Sequence, residues 1–165
     1  MCLHLLGEAA LNRGAYEQAI TLTEESIALA RERDNTPQLF HALENLARAV
    51  LLHGDAERAQ MLWEESLRLA QEWNDKDGVA FALLGLAGAC AYQGLVERAA
   101  RLYGAADRLH REVGVSLTPP ERAIASVFLA PARSQLDELA WNRVQIEGRA
   151  MSQEEAVAYA LGEDG

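Results

Sequence analysis

Two pairs of side chains near the start of the sequence have the types and the spacing that could hold a metal ion. His4 and Glu8 lie four residues apart, and His41 and Glu44 lie three residues apart, so each pair occupies one face of a helix. Imidazole and carboxylate groups are ligands of zinc. The same residue types also form an ordinary hydrated polar groove, and we favour that interpretation. We therefore predict no metal ion and no cofactor.

The signatures of the common enzyme classes are missing from the sequence. A phosphate-binding loop ends in Gly-Lys-Ser or Gly-Lys-Thr, but the only lysine, Lys76, lies between two aspartates. Neighbouring carboxylates such as Glu24 and Glu25 point in different directions on a helix, so they indicate a solvated surface and not a catalytic acid–base pair. Neither His-Glu-x-x-His nor Gly-x-Ser-x-Gly occurs. We predict that this segment is not an enzyme.

Composition and charge narrow the class of protein and the class of partner. Ala and Leu make up one third of the 165 residues, which favours helices. The formal net charge of -10 repels nucleic acid and anionic lipid, so we predict no contact with nucleic acid or with a membrane. No apolar run approaches the length of a membrane span, and no signal-peptide pattern is present. Cys2 and Cys90 are too few for a disulfide framework, and we expect a cytoplasmic protein.

The sequence repeats itself at a spacing of 40 residues. Nine positions carry the same residue in all three copies, with no gap in the alignment. These positions are Leu3/Leu43/Leu83, Leu6/Leu46/Leu86, Ala9/Ala49/Ala89, Gly14/Gly54/Gly94, Glu17/Glu57/Glu97, Ala19/Ala59/Ala99, Leu22/Leu62/Leu102, Leu29/Leu69/Leu109 and Glu32/Glu72/Glu112. Chance gives well under one such match for this composition, so the chain contains three copies of one structural unit.

Each unit has the pattern of two helices joined at a glycine. Leu43, Leu46 and Val50 lie on one face of a first helix. Gly54 then ends that helix, because glycine readily adopts the left-handed backbone conformation. Asp55 follows and is suited to cap the second helix. The second helices are predicted over residues 15–33, 55–73 and 95–113.

This pattern resembles the tetratricopeptide repeat. The residues that carry the resemblance are Leu-x-x-Leu followed by Gly or Ala, then Gly-x-x-x-x-Ala, then a small residue at Ser26, Ser66 or Ala106. Tyr16 matches the aromatic residue of the family's turn, which the other two units lack. The resemblance implies an all-α, right-handed solenoid of helical hairpins, in which the first helices of successive units line a concave groove. The long period and the absence of the family's final proline resemble the long-helix variant of bacterial regulators.

The rest of the chain continues the scheme more loosely. Residues 118–121 (Thr-Pro-Pro-Glu) and 152–155 (Ser-Gln-Glu-Glu) each have the pattern of a helix-capping box. Ile124, Val127 and Phe128 supply an apolar face after the first of them. The predicted boundaries are residues 1–34, 38–74 and 78–114 for three repeats, 118–149 for a degenerate fourth hairpin, and 152–165 for a short C-terminal helix and a frayed tail.

A second resemblance lies in this tail. Residues 101–106 (Arg-Leu-Tyr-Gly-Ala-Ala), 117–121 and 147–156 resemble the C-terminal end of large bacterial signalling ATPases, which join a nucleotide-binding core to tetratricopeptide-like repeats. The resemblance implies that this segment is the C-terminal repeat region of a multidomain regulator, with any ATP hydrolysis outside these residues. The first helix begins without a capping residue, so we also expect repeats upstream.

Three aromatic or imidazole side chains outside the first helices receive a structural interpretation. Trp63 and Tyr103 occupy one repeat column that faces neighbouring helices, so we expect them to pack between helices and not to form an aromatic ligand site. His110 stands where the other units have Ala30 and Ala70, and we expect it to be exposed.

The candidate binding site follows from the groove that the family resemblance implies. The side chains of the first helices that the repeat columns do not use form one strip, with polar groups at one end and apolar groups at the other. We predict a partner- or effector-binding groove formed by Glu44, Asn45, Arg48, Phe81, Leu84, Gly88 and Tyr92. Over Gly85 and Gly88, two alternatives stay open: close approach by a partner, or by the chain's own C-terminal helices. For the strip as a whole, the alternative to a partner is that the chain's own residues 136–161 cover it.

Two functions fit such a groove. The first is a non-enzymatic protein-interaction module of a bacterial signalling or transcription regulator, which holds a protein partner or another domain of its own chain. The alternative is a sensor domain that binds a small effector molecule in the same groove. An enclosed pocket favours the effector, whereas an open trough favours a peptide or a helix.

Overall fold

The structure, a computed structural model, describes residues 3–114, 117 and 119–163. The helices in this part of the chain are α1 (Leu3–Asn12), α2 (Tyr16–Glu32), α3 (Thr36–His53), α4 (Ala56–Glu72), α5 (Lys76–Tyr92), α6 (Val96–Val113), α7 (Pro119–Arg133), α8 (Glu138–Arg149) and α9 (Gln153–Leu161). None of them has the length and apolar character of a membrane span. The predicted all-α fold is confirmed, and Thr118 of the first predicted capping box lies outside the described residues.

Glycine turns and side-chain caps fix where the helices of each hairpin begin and end. Asp55 caps α4 as predicted, because its side chain accepts a hydrogen bond of 3.0 Å from the backbone N–H of Arg58. The repeated glycines all lie in the turn between the two helices of a hairpin. Their φ values are 74° at Gly14, 107° at Gly54 and 77° at Gly94. A side chain at any of these positions would strain the backbone.

The helices stack as hairpins in the order of the chain. α1 packs with α2, α3 with α4, and α5 with α6. The second helix of each hairpin also packs on the first helix of the next one. The first helices contact one another, α1 with α3 and α3 with α5, so they form one layer, which we call the inner layer. This arrangement is a solenoid of helical hairpins.

The last three helices are arranged differently from the repeats. α7 packs mainly on α5, whereas α8 packs on α6. The sequence predicts a fourth hairpin over 118–149. In the structure, α7 lies against α5 of the inner layer, whereas α8 lies against α6, the second helix of the third hairpin. α9 begins at the predicted capping box, in which the side chains of Ser152 and Glu155 each accept a hydrogen bond from the other residue's backbone N–H. α7 is the helix that lies beside the inner layer.

Small residues allow the closest approaches between helices. Ala19, Ala59 and Ala99, one of the repeated columns, are 1%, 0% and 0% exposed. The approach is closest where α6 crosses α8: a Cβ atom on Gly104 would lie 2.0 Å from the carbonyl oxygen of Gln145. Nothing larger than hydrogen fits there, so the glycine is required by the packing.

The structure buries His110, so the prediction that it is exposed is wrong. Its side chain is 2% exposed, and its ring meets the edge of Phe81 with the ring centroids 4.9 Å apart. The equivalent residues Ala30 and Ala70 are 1% and 0% exposed. The column therefore faces the interior in every unit, and a larger residue there is buried as well. Trp63 is a packing residue as expected, since it is 1% exposed.

A candidate binding cavity

A cavity of about 600 Å³ opens on the inner layer. α1, α3 and α5 supply most of its lining, and Trp63 of α4 and Trp73 of the following turn add to it. Ile124 and Phe128 of α7 form a further wall. Because α7 lies against α5, it bounds the groove on one side. The cavity therefore lies where the family resemblance implied a concave groove, and α7 forms one of its walls.

The cavity brings together most of the predicted groove residues. Its lining includes five of the seven: Glu44, Asn45, Arg48, Phe81 and Leu84. Gly88 is buried outside the lining, because a Cβ there would lie 2.9 Å from the Cβ of Phe128, which fills the space above it. Tyr92 lies at the end of α5, 38% exposed and also outside the lining. The role of the set in binding stays a prediction.

Aromatic rings of the chain itself occupy the space over the two glycines of α5. Phe128 covers Gly88, so the covering segment is α7 and not residues 136–161. A Cβ on Gly85 would lie 2.2 Å from Cε2 of Trp63. The rings of Trp63 and Phe128 in turn meet edge to face, with centroids 5.8 Å apart. The glycines therefore admit internal packing and not a partner.

Glu44 is the most constrained polar side chain in the lining. The indole Nε1–H of Trp63 donates to its Oε2 at 3.0 Å, and the Ser66 hydroxyl donates to its Oε1 at 2.5 Å. Burial raises the pKa of Glu44, while these two donors and the nearby charge of Arg48 oppose that rise. The two hydrogen bonds fix the carboxylate, and each oxygen keeps one further lone pair for an occupant of the cavity.

Arg48 lies one helical turn after Glu44 on α3 and also lines the cavity. Burial lowers the pKa of its guanidinium, and the charges of Glu8 and Glu44 act in the opposite direction. Its Nε is buried and, within the described residues, has no hydrogen-bond partner. The Nδ1 of His4 is likewise buried and, among the described residues, has no hydrogen-bond partner. Unsatisfied buried polar atoms are uncommon in folded proteins, so this end of the cavity offers hydrogen bonds to an occupant.

Several lining residues were not anticipated from the sequence. Phe40, Trp73 and Asp75 all line the end of the cavity at which α3 and α5 begin. Residues 74–78 indicated only a turn, because Asn, Asp and Gly are common in the turns of any helical repeat. The sequence placed Phe128 on an apolar face of its helix. The 40-residue period does not predict which helix α7 packs on, because α7 lies outside the three repeats.

One comparison with known proteins identifies the hairpins around the cavity. Residues 1–72 match the tetratricopeptide repeat family model. The match covers α1 to α4 and supports a tetratricopeptide-repeat protein. No curated protein and no solved structure was found to match the chain.

The stretch that matches the tetratricopeptide repeat model supplies about half of the residues that line the cavity. α1, α3 and Trp63 belong to the matched stretch, while the lining from Trp73 onward lies beyond it. Repeats of this family generally mediate protein–protein interaction and are non-catalytic. Among the described residues, no group of three or more His, Cys, Asp or Glu side chains is placed to hold a metal ion.

Proposed function

We propose that this segment is a non-enzymatic protein-interaction module that holds its partner in the cavity of the inner layer. The proposed setting is the C-terminal repeat region of a bacterial signalling or transcription regulator, and the partner is another protein or another domain of the same chain. The observation that supports binding is the cavity itself. Successive tetratricopeptide repeats contribute equivalent helices to it, as in a shared recognition surface.

The lining has the composition of an interaction site. Aromatic rings, a guanidinium and a fixed carboxylate meet in one concave space, where Phe81 and Arg48 are partly buried. Aromatic residues and arginine dominate the binding energy of protein interfaces, because they fill pockets and pair with charged groups at the same time. The net charge of -10 argues against nucleic acid as the partner.

The size of the cavity favours a second candidate, a sensor for a small effector. A volume of about 600 Å³ falls within the range of small-molecule sites. α7 also bounds the groove, which limits the length of a helix that could lie along it. An effector would then occupy the same residues as the proposed peptide, so one cavity-filling variant tests both candidates.

The test is selection from a random-peptide library on the whole 165-residue chain, followed by calorimetric titration of the selected peptides. The variant Asn45→Trp places a large ring inside the cavity, and Met61→Trp is the matched control because Met61 is 63% exposed on α4. We expect the selected peptides to bind the control like the wild type. They should bind Asn45→Trp at least about tenfold more weakly.

The other outcomes decide between the candidates. Equal binding by Asn45→Trp and the wild type would place the peptide site elsewhere and contradict the proposal. If no peptide is selected, the effector candidate is tested by thermal-shift screening with small molecules. A compound that stabilises the wild type and Met61→Trp but not Asn45→Trp would replace the peptide with an effector.

A further inference from the structure

Aromatic rings and carboxylates dominate the lining of the cavity. Phe40 comes from α3, Trp63 from α4, Trp73 from the next turn, Phe81 from α5 and Phe128 from α7. Trp63 and Phe128 pack on each other, whereas Trp73 and Phe81 keep exposed ring surface. The face of an aromatic ring is electronegative and attracts cations. We infer that the cavity receives a cationic side chain, arginine or lysine, presented by a peptide segment of the partner. This inference rests on the proposed function and specifies its occupant.

The charges of the lining favour a cation. The lining holds four carboxyl groups, those of Glu8, Glu44, Asp75 and Asp77, and one guanidinium, that of Arg48. The two histidines of the lining, His4 and His41, belong to α1 and α3 and not to the start of α5. The net charge of the whole chain, -10, adds a long-range attraction for a basic segment. The charge of the cavity and that of the protein thus act in the same direction.

Arg48 does not block such an occupant, because it lies at the other end of the cavity. Phe40 and Arg48 are eight residues apart on α3, which is about 12 Å along the helix axis. α3 and α5 are equivalent helices of successive hairpins and run in the same direction, so Asp75, at the start of α5, lies at the Phe40 end. The charge of Arg48 is offset locally by Glu8 and Glu44.

The carboxylate at the Phe40 end is held in place. Asp75 caps α5, where its Oδ1 accepts a hydrogen bond of 3.0 Å from the backbone N–H of Gly78. A carboxylate fixed in this way needs no reordering when a cation arrives, which favours binding. The apolar stem of an arginine or lysine side chain suits the remaining wall, where Phe81 and Leu84 lie.

The experiment compares three capped peptides of the form Gly-Ala-X-Ala-Gly on the whole chain, in which X is arginine, the neutral analogue citrulline, or glutamate. The readout is the indole N–H signals in the NMR spectrum, because Trp63 and Trp73 line the cavity and Trp141 does not. We expect the arginine peptide to shift the signals of Trp63 and Trp73 but not that of Trp141. Its affinity should exceed that of the citrulline peptide at least about tenfold.

A pair of matched variants tests the role of the fixed charge. Asparagine caps helices about as well as aspartate, so Asp75→Asn removes the charge and keeps the cap. Asp55→Asn makes the same change at the cap of α4, outside the cavity. We expect Asp75→Asn to lower the affinity for the arginine peptide at least about threefold and to leave the affinity for the citrulline peptide unchanged. Asp55→Asn should change the affinity for neither peptide.

Each contrary result has a distinct meaning. Citrulline or glutamate peptides that bind as well as the arginine peptide, or no binding by any of the three, would overturn the inference. The proposed function would survive that result if library-selected peptides still require the cavity. Methylguanidinium serves as a free small cation. If it binds as tightly as the arginine peptide, the occupant is a small amine or guanidine and not a protein segment, which overturns the inference as stated.

Discussion

Glu44 has two roles, because its carboxylate fixes the indole of Trp63 and also lines the cavity. The two hydrogen bonds from Trp63 and Ser66 hold it between α3 and α4. Ser66 is fully buried and belongs to the repeat column that holds a small residue in each unit, Ser26, Ser66 and Ala106. A polar network at this position links the packing of a repeat to the chemistry of the site. The hydrogen bonds of this network are made with residues of α4, and the remaining lone pairs of the Glu44 carboxylate are available on the cavity side.

The raised pKa of Glu44 predicts a pH dependence of stability. Its protonated form is favoured in the folded chain, so this contribution to the free energy of unfolding is fully present below the ordinary glutamate pKa. It is lost as the pH rises through the raised folded pKa. We expect Glu44→Gln to abolish this part of the pH dependence, as measured by urea unfolding at a series of pH values.

The control for this prediction is Glu25→Gln on the exposed face of α2. It should preserve the wild-type pH profile. A Glu44→Gln profile that parallels the wild type over the whole pH range would show that Glu44 does not titrate differently in the folded chain. The interpretation of the Glu44 network would then have to be given up.

Individual side chains were predictable where the repeat constrains them. The alanine column at position 59 and the turn glycine at position 54 followed from identity across three units, because one helix geometry imposes the same size limit each time. His110 was misjudged, although Ala30 and Ala70 in its column gave the signal of an interior position. Gly88 was misplaced for another reason, since the residue that covers it comes from outside the repeats.

Among the helices, α6 and α8 make the closest backbone contact of the described residues. A Cβ on Gly148 would lie 1.9 Å from the carbonyl oxygen of Arg101, so the backbones touch. Two ion pairs flank the contact, Arg101 with Glu147 at 2.6 Å and Arg149 with Asp107 at 2.8 Å. The segments 101–106 and 147–149 therefore form one packing unit.

The variant Gly148→Ala tests this crossing. Because the added methyl would overlap the backbone of α6, the helices must separate, and we expect a loss of at least about 2 kcal/mol in the free energy of unfolding. Ile146→Ala is the control on the same helix, since Ile146 is 60% exposed and should change stability by less than about 0.5 kcal/mol. Chemical denaturation measures both. Equal effects of the two variants would refute the close crossing.

At the scale of the whole molecule, α7 converts a repeat surface into a cavity. Phe128 is 4% exposed and packs on both Gly88 and Trp63. The first six helices were predictable to within about two residues, because period, caps and turn glycines agree with one another. The position of α7 was not predictable, because it leaves the order of the hairpins, and an apolar face alone does not identify its neighbour.

The variant Phe128→Ala tests whether α7 is part of the folded core. Removal of a buried ring that contacts two helices should lower the free energy of unfolding by roughly 3–5 kcal/mol. Val127→Ala changes the neighbouring residue, which is 52% exposed, and should change the stability by less than about 0.5 kcal/mol. A thermal melt of each variant measures the difference. If Phe128→Ala melts like Val127→Ala, α7 does not close the cavity.

The most direct measurement is a crystal structure of the chain with the tightest peptide from the library selection. We expect the peptide to lie on the inner layer, with one of its side chains in the space between Phe81 and Glu44. We also expect α7 to stay in place, with Phe128 on Gly88. A peptide bound on the second helices of the hairpins, or one that displaces α7 to lie over Gly88, would contradict binding in the cavity.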